Sequence, residues 1–167
     1  MLEDGSDLAD STRVIFIHGL MGSSQGVKAK LLRGIFPWIL TPNFQGSLEE
    51  RMDQLQTILG EEMGWKIVGS SFGGLMAALF AHQHPRQVSK LVLFAPALIW
   101  PNFASLTKKP VDVPVVLYHG KQDELLPLEA IRELAEKQFN NLDFQVVDDD
   151  HGLYKTVHAL DWEMLLE

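Results

Sequence analysis

A chain of 167 residues, 46% hydrophobic and 22% charged, is the size of one ordinary domain and can bury about 70% of the surface its unfolded form exposes. The formal net charge of −8, with 14 Lys and Arg scattered along the chain, argues against a nucleic-acid partner, because a phosphate backbone requires a clustered basic face. Zero cysteines exclude disulfides, thiolate metal sites and a cysteine nucleophile.

No stretch approaches the roughly 20 apolar residues that a membrane span requires. The opening "MLEDGSDLADST" is acidic where a secretory signal is basic and then apolar. The expectation is one domain over residues 1–167, cytoplasmic and without a membrane span, with residues 1–11 a flexible acidic N-terminus.

In chain order, the first strand is "RVIFIH" (13–18), a continuous apolar run of the kind covered on both faces of a sheet. "PWILTPNF" (37–44) is a weaker strand that Pro42 should end. A helix follows in "SLEERMDQLQTILGEE" (47–62), opened by a capping-box pattern at Ser47 and Glu50, with Leu48, Met52, Leu55 and Leu59 on one stripe. "KIVGS" (66–70) is the next strand. "FGGLMAALFAHQH" (72–84) reads as a helix packed against the middle of a sheet until Pro85 stops it.

The strand "KLVLFAP" (90–96) leads into a long irregular segment, residues 97–112, which carries Leu98, Trp100 and Phe103. "PVVLYHG" (114–120), a helix in "PLEAIRELAEKQF" (127–139), "DFQVVDD" (143–149) and a final helix from His151 to Leu166, with Val157, Leu160 and Met164 inward, complete the chain. Strand and helix in alternation give a parallel sheet with helices on both faces, a three-layer α/β/α sandwich.

Gly69-Ser70-Ser71-Phe72-Gly73 has the form G-x-S-x-G and falls between a buried strand and a helix, where Ser71 would be forced onto a sharp turn with its hydroxyl exposed. Glycine and serine also populate ordinary strand-to-helix turns, so the pentapeptide needs a base and an orienting acid beside it. Asp123, in "YHGKQDELLP", and His151, in "VVDDDHGLYK", follow later strands in the order serine, acid, histidine. All three then lie at the carboxyl edge of one sheet, where ligands of open α/β sheets bind. The competing readings are a loop carboxylate capping a helix for Asp123 and a solvated histidine for His151. "DDDH" carries a further one, a metal site, disfavoured because consecutive side chains at a strand end point in alternating directions. His158 is the rival base; His82 and His84 end a helix and suit its carbonyls. The turn at His18-Gly19-Leu20 can aim the Leu20 N–H at the nucleophile, completing an oxyanion hole with the N–H of Phe72.

"HGLMGSS", "GSSFGG", "GKQDELLP" and "DDDHGL", in that order on alternating strands and helices, resemble the α/β-hydrolase superfamily over nearly the whole chain after residue 12. The small size and the "HGLMGSS" opening look most like the compact YqiA-type esterases, which lack a lid domain. The resemblance implies Ser71 as nucleophile, Asp123 as acid, His151 as base and Leu20 with Phe72 as oxyanion donors. It also implies a minimal sheet of six parallel strands in the order 2-1-3-4-5-6, because the two strands that usually precede "RVIFIHG" are not recognisable. "NFQGS" lacks the usual double-glycine turn, which leaves that wall of the site without a family template.

The favoured activity is hydrolysis of a carboxylic ester or thioester of short to medium acyl chain through an acyl-enzyme, with Leu98, Trp100 and Phe103 walling a shallow substrate-binding pocket. The implied partner is a small-molecule ester, and no metal or organic cofactor is implied. The alternative is a non-catalytic member of the same fold that binds a ligand or a protein, since fold does not fix function.

Overall fold

A computed structural model describes residues 12–101, 103–107 and 109–167. The expected acidic N-terminus, residues 1–11, lies outside the described residues. Five strands, β1 (Val14–Ile17), β2 (Trp65–Ser70), β3 (Val88–Phe94), β4 (Val115–Gly120) and β5 (Leu142–Val147), form one sheet in the order β1-β2-β3-β4-β5. Every adjacent pair is parallel.

The expected strand at 37–44 contracts to a single bridge, Leu40 beside Ile15 on the outer edge of β1. Two backbone hydrogen bonds hold it, from the Phe16 N–H to the Leu40 carbonyl and from the Leu40 N–H to the Val14 carbonyl. The sheet therefore has five strands rather than six. Pro37 and Pro42 bracket the segment and donate no N–H, so a longer ladder has nothing to extend it. The bridge lies where the order 2-1-3-4-5-6 places the second strand.

Alternation along each strand divides the apolar residues between two cores. Ile15, Ile17, Ile67, Leu91, Leu93, Val115 and Leu117 face one side, with α2 (Leu48–Leu59), α3 (Phe72–Gln83) and α5 (Leu128–Gln138). Val14, Phe16, Val68, Val92, Phe94 and Tyr118 face the other, with α1 (Val27–Ile35), α6 (Tyr154–Ala159) and α7 (Trp162–Leu165). The short α4 (Phe103–Leu106) lies in the segment after β3. Helix α2 begins as the sequence indicates: the Ser47 hydroxyl accepts from the Glu50 N–H and the Glu50 carboxylate from the Ser47 N–H. Every residue of α3 from Phe72 to Ala81 is buried, which accounts for its unpatterned apolar sequence.

The C-terminal helix breaks in two. Asp161 caps a new helix by accepting from the Met164 N–H, and the buried Trp162 donates its indole N–H to the Val157 carbonyl. That restart turns Met164 outward, 67% exposed, where one continuous helical period would have buried it.

Three glycines set the spacing between layers. A Cβ on Gly73 would lie 2.0 Å from the Ile17 carbonyl oxygen and 2.5 Å from that of His18, and one on Gly69 would lie 2.5 Å from the Gly73 oxygen. A Cβ on Gly120 would lie 2.3 Å from the Asp149 oxygen. Gly73→Ala is expected to cost at least about 3 kcal/mol, because backbone has to move. Gly34→Ala, exposed in α1 with open space around its Cβ, is expected to stabilise by about 0.5–1 kcal/mol. Chemical denaturation of the two variants checks the contrast.

Candidate active site

Ser71 joins β2 to α3 with φ 55° and ψ −114°, a positive φ that a non-glycine residue adopts only under constraint. Three hydrogen bonds hold it there. Its N–H donates to the Phe94 carbonyl at 2.9 Å, and its carbonyl accepts from the N–H groups of Leu75 at 3.1 Å and Ala97 at 3.0 Å. The hydroxyl lies 3.1 Å from His151 Nε2. Ser70, the neighbouring serine, instead lines a cavity of about 90 Å³ beneath the Gly19–Gly22 turn.

His151 Nδ1 lies 2.8 Å from Asp123 Oδ2. With Nδ1 donating to the carboxylate, Nε2 is left as an acceptor for the serine proton. Asp123 is fully buried at its side chain, and its second oxygen accepts from the N–H groups of Leu125 at 2.9 Å and Leu126 at 2.8 Å. Burial pushes the Asp123 carboxyl up; the Leu126 amide, His151 and the Leu125 amide outweigh it and hold the carboxyl below its ordinary range. The carboxylate ties down its own loop and orients His151; it does not cap the helix that follows, whose N-cap, Pro127, has no side-chain partner.

The aspartates before His151 are engaged in the loop. Asp149 Oδ2 accepts from the Thr156 N–H and hydroxyl, Asp150 Oδ1 from the Gly152 N–H, and Asp148 Oδ1 from the Gln122 amide. His158 Nδ1 turns to the Tyr154 carbonyl and His82 Nδ1 to that of Ala78, so neither reaches Ser71.

The Leu20 N–H donates to no backbone carbonyl among the described residues, and that of Phe72, the first residue of α3, has no acceptor within its helix. The two belong to loops in close approach, since a Cβ on Gly19 would lie 3.6 Å from Ser71 Cβ.

The expected substrate wall is corrected. Leu98 and Phe103 are each 1% exposed and pack into the core of the α3 face, so neither can touch a ligand. The bond from the Ala97 N–H to the Ser71 carbonyl folds the segment inward, and Phe103 stacks edge-on to His82. Trp100 alone of the three stays on the surface, edge-on to the Phe72 ring at 5.1 Å.

Three buried groups stand near the site, and of these the sequence singles out only His18, as part of its turn. His119 is wholly buried; its Nε2 lies 2.9 Å from the Leu126 carbonyl and 3.5 Å from Asp123 Oδ2, so it packs behind the carboxylate. Burial pushes its imidazole below the ordinary range, against the opposing pull of the Leu126 carbonyl and Asp123. His18 Nδ1 donates to the Gly19 carbonyl and Nε2 accepts from the Phe44 N–H; burial lowers its pKa too, and the Arg51 charge adds to that. Arg51 is 5% exposed and donates from Nε to the Gly46 carbonyl. The "HG" turn marks His18 in the sequence; an arginine in the first turn of an acidic helix carries no comparable signal.

The family model described as α/β hydrolase fold matches residues 41–111. No curated protein matches the sequence. Among solved structures, α/β-hydrolase domain-containing protein 10 from mouse is 18% identical with a TM-score of 0.71, covering 92% of this chain and 86% of its own. A monoacylglycerol lipase from Paleococcus ferrophilus is 18% identical with a TM-score of 0.69, covering 92% and 93%. An alpha-beta serine hydrolase homologue from Coxiella burnetii is 20% identical with a TM-score of 0.71, covering 93% and 83%. Strand order, the strained Ser71 between β2 and α3 and these likenesses agree, and the chain has the α/β-hydrolase fold.

Proposed function

We propose that the chain is a serine hydrolase that cleaves a carboxylic ester or thioester of short to medium acyl chain. The observation that carries this reading is the hydrogen-bonded line from Ser71 Oγ to His151 Nε2 and from His151 Nδ1 to Asp123 Oδ2. In the first half-reaction Ser71 Oγ bonds to the acyl carbon as its proton passes to His151 Nε2. The charge that develops on the carbonyl oxygen is met by the N–H groups of Leu20 and Phe72. Collapse breaks the bond to the leaving oxygen or sulfur, which takes the proton from His151. Water then gives a proton to His151 and its oxygen to the acyl carbon, and Ser71 recovers its proton as the acid departs.

The leaving group exits on the side of His151, because that ring must hand it a proton. A cleft of about 440 Å³ lies there, lined by Gln122, Glu124, Leu125, Asp150, His151 and Gly152. Open clefts and an exposed Trp100 suit a short to medium acyl chain and a lidless site, as the resemblance to the compact YqiA-type esterases implies. No helix among the described residues is long and apolar enough to cross a membrane.

An active-site phosphonate is expected to label Ser71 and abolish turnover of a generic aryl ester; labelling without turnover would favour a binding protein on this fold. Ser71→Ala is expected to abolish turnover with little change in melting temperature, and Ser70→Ala to cost far less. Asp123→Asn should lower kcat by roughly three to four orders of magnitude, since an amide permits the wrong imidazole tautomer. Loss of turnover in His158→Ala but not His151→Ala would sink the assignment of the base.

Stability bounds the pH range of these assays. His18 and His119 are both held below the ordinary histidine value in the folded state, whereas the unfolded chain takes up their protons near pH 6.5. The unfolded state thus binds more protons, and stability rises with pH across that interval. The contribution is present above about pH 6.5 and is lost as pH falls through the lowered folded values. Melting temperature is expected to decline between about pH 7 and pH 5; a flat profile would contradict the neutral burial of both rings.

A further inference from the structure

We infer that Arg51 forms the floor of an anion subsite, and that the preferred acyl group carries a terminal carboxylate. The substrate class is then a half-ester, or half-thioester, of a short dicarboxylic acid. This rests on the proposed hydrolase reading for the reaction, though the subsite itself can be tested without turnover.

The guanidinium sits in the first turn of α2, 95% buried by its 5% exposure, and no carboxylate pairs with it among the described residues. Its Nε bond to the Gly46 carbonyl is sound at 3.0 Å, while Nη2 reaches the Leu20 carbonyl only at 3.4 Å. Nη1 is buried with no hydrogen-bond partner. A buried cation without a counter-ion is costly, and truncating or leaving such a group unpaired costs more than most side-chain contacts return. The aromatic face of Phe72, 5.4 Å from the guanidinium carbon, offsets only part of that.

A counter-ion has a place to bind. Arg51 lines a cleft of about 430 Å³ together with Leu20, Met21, Asn43, Phe44 and Gln45, and its only charged wall is the guanidinium. Leu20 and Met21, at 48% and 96% exposure, form an apolar rim. This cleft shares no residue with the one at His151. It adjoins Leu20, an oxyanion donor in the proposed mechanism, and Arg51 lies against Phe72, the other. With the leaving group on the His151 side, the acyl chain extends toward Arg51. An entering carboxylate displaces the long Nη2 bond to Leu20 and pairs with Nη1 and Nη2, the planar fork that a guanidinium offers to one carboxylate. The neighbouring polar side chains, Asn43 and Gln45, are neutral, so a single negative charge is matched and a phosphate dianion is not.

The test compares monoethyl glutarate with its isostere ethyl 5-methylhexanoate, in which an isopropyl group replaces the carboxylate. Wild-type kcat/KM is expected to favour the half-ester by about tenfold or more, mainly through KM, as charge-assisted hydrogen bonds imply. Arg51→Met keeps the apolar stem and is expected to erase that preference; Arg51→Lys should retain part of it. Free glutarate is expected to compete with either ester in the wild type and to lose its effect in Arg51→Met. No preference in the wild type, or an equal preference in the Met and Lys variants, overturns the subsite. If neither ester is cleaved, the hydrolase reading fails separately, and calorimetric titration of the Ser71→Ala protein with glutarate decides: binding that Arg51→Lys weakens supports the subsite, and absence of binding overturns it.

Discussion

The arrangement depends on how closely α3 approaches β1. Gly73 presses its α-carbon against the Ile17 and His18 carbonyls, with no room for a methyl group. Only at that separation can the β2-to-α3 connection be so tight that Ser71 is driven to φ 55°. The strain is contained because three elements grip the residue: β3 takes its N–H, α3 and the segment after β3 its carbonyl. The backbone thus fixes where the Ser71 Cβ stands, and from there the hydroxyl lies 3.1 Å from His151 Nε2.

The same logic operates at the far end of the sheet. Gly120 lets the β4 turn run against the backbone of Asp149, and the Gln122 N–H donates to the Asp149 carbonyl at 3.0 Å. The loops bearing Asp123 and His151 are thereby stitched together main chain to main chain. Asp149 then ties the second loop to α6 through Thr156, where its carboxyl is held below the ordinary range: burial raises it, and the Thr156 N–H and hydroxyl more than compensate. Side-chain hydrogen bonds in the site finish a geometry that glycines and backbone bonds have already imposed.

What was legible in the sequence follows from this. Ser71, Asp123 and His151 each stand just past a buried apolar strand, and periodicity locates such strands well; their meeting in space is a consequence of parallel topology. The wall residues failed for a related reason. By sequence Leu98 and Phe103 fit a pocket wall, because apolar groups in a long loop have no periodicity to reveal which way they face. A bond to the Ser71 carbonyl turned them into the core. Helix α1 has no start signal in the sequence, since Gly26 stands at its N-cap and supplies no side-chain cap. The broken C-terminal helix hides in a pattern whose apolar spacing nearly continues across Asp161.

The loop after Leu40 shows how a reduced strand is replaced. One bridge to β1 cannot hold residues 41–46 against the site, and the usual glycine turn is absent. Two buried side chains supply the missing links: His18 accepts from the Phe44 N–H, and Arg51 donates to the Gly46 carbonyl while reaching toward Leu20. For His18 to accept at Nε2 while Nδ1 donates to Gly19, the ring must be neutral; burial favours that form most, and the Arg51 charge nearby adds to it. Each link thus sustains the other. The Arg51 guanidinium has no carboxylate partner among the described residues, and the cleft it lines holds no other charged side chain. The departure from the family's turn and the unpaired guanidinium are two sides of one construction, in which a wall built from a charged side chain instead of a sheet ladder also becomes a wall that can select its ligand by charge.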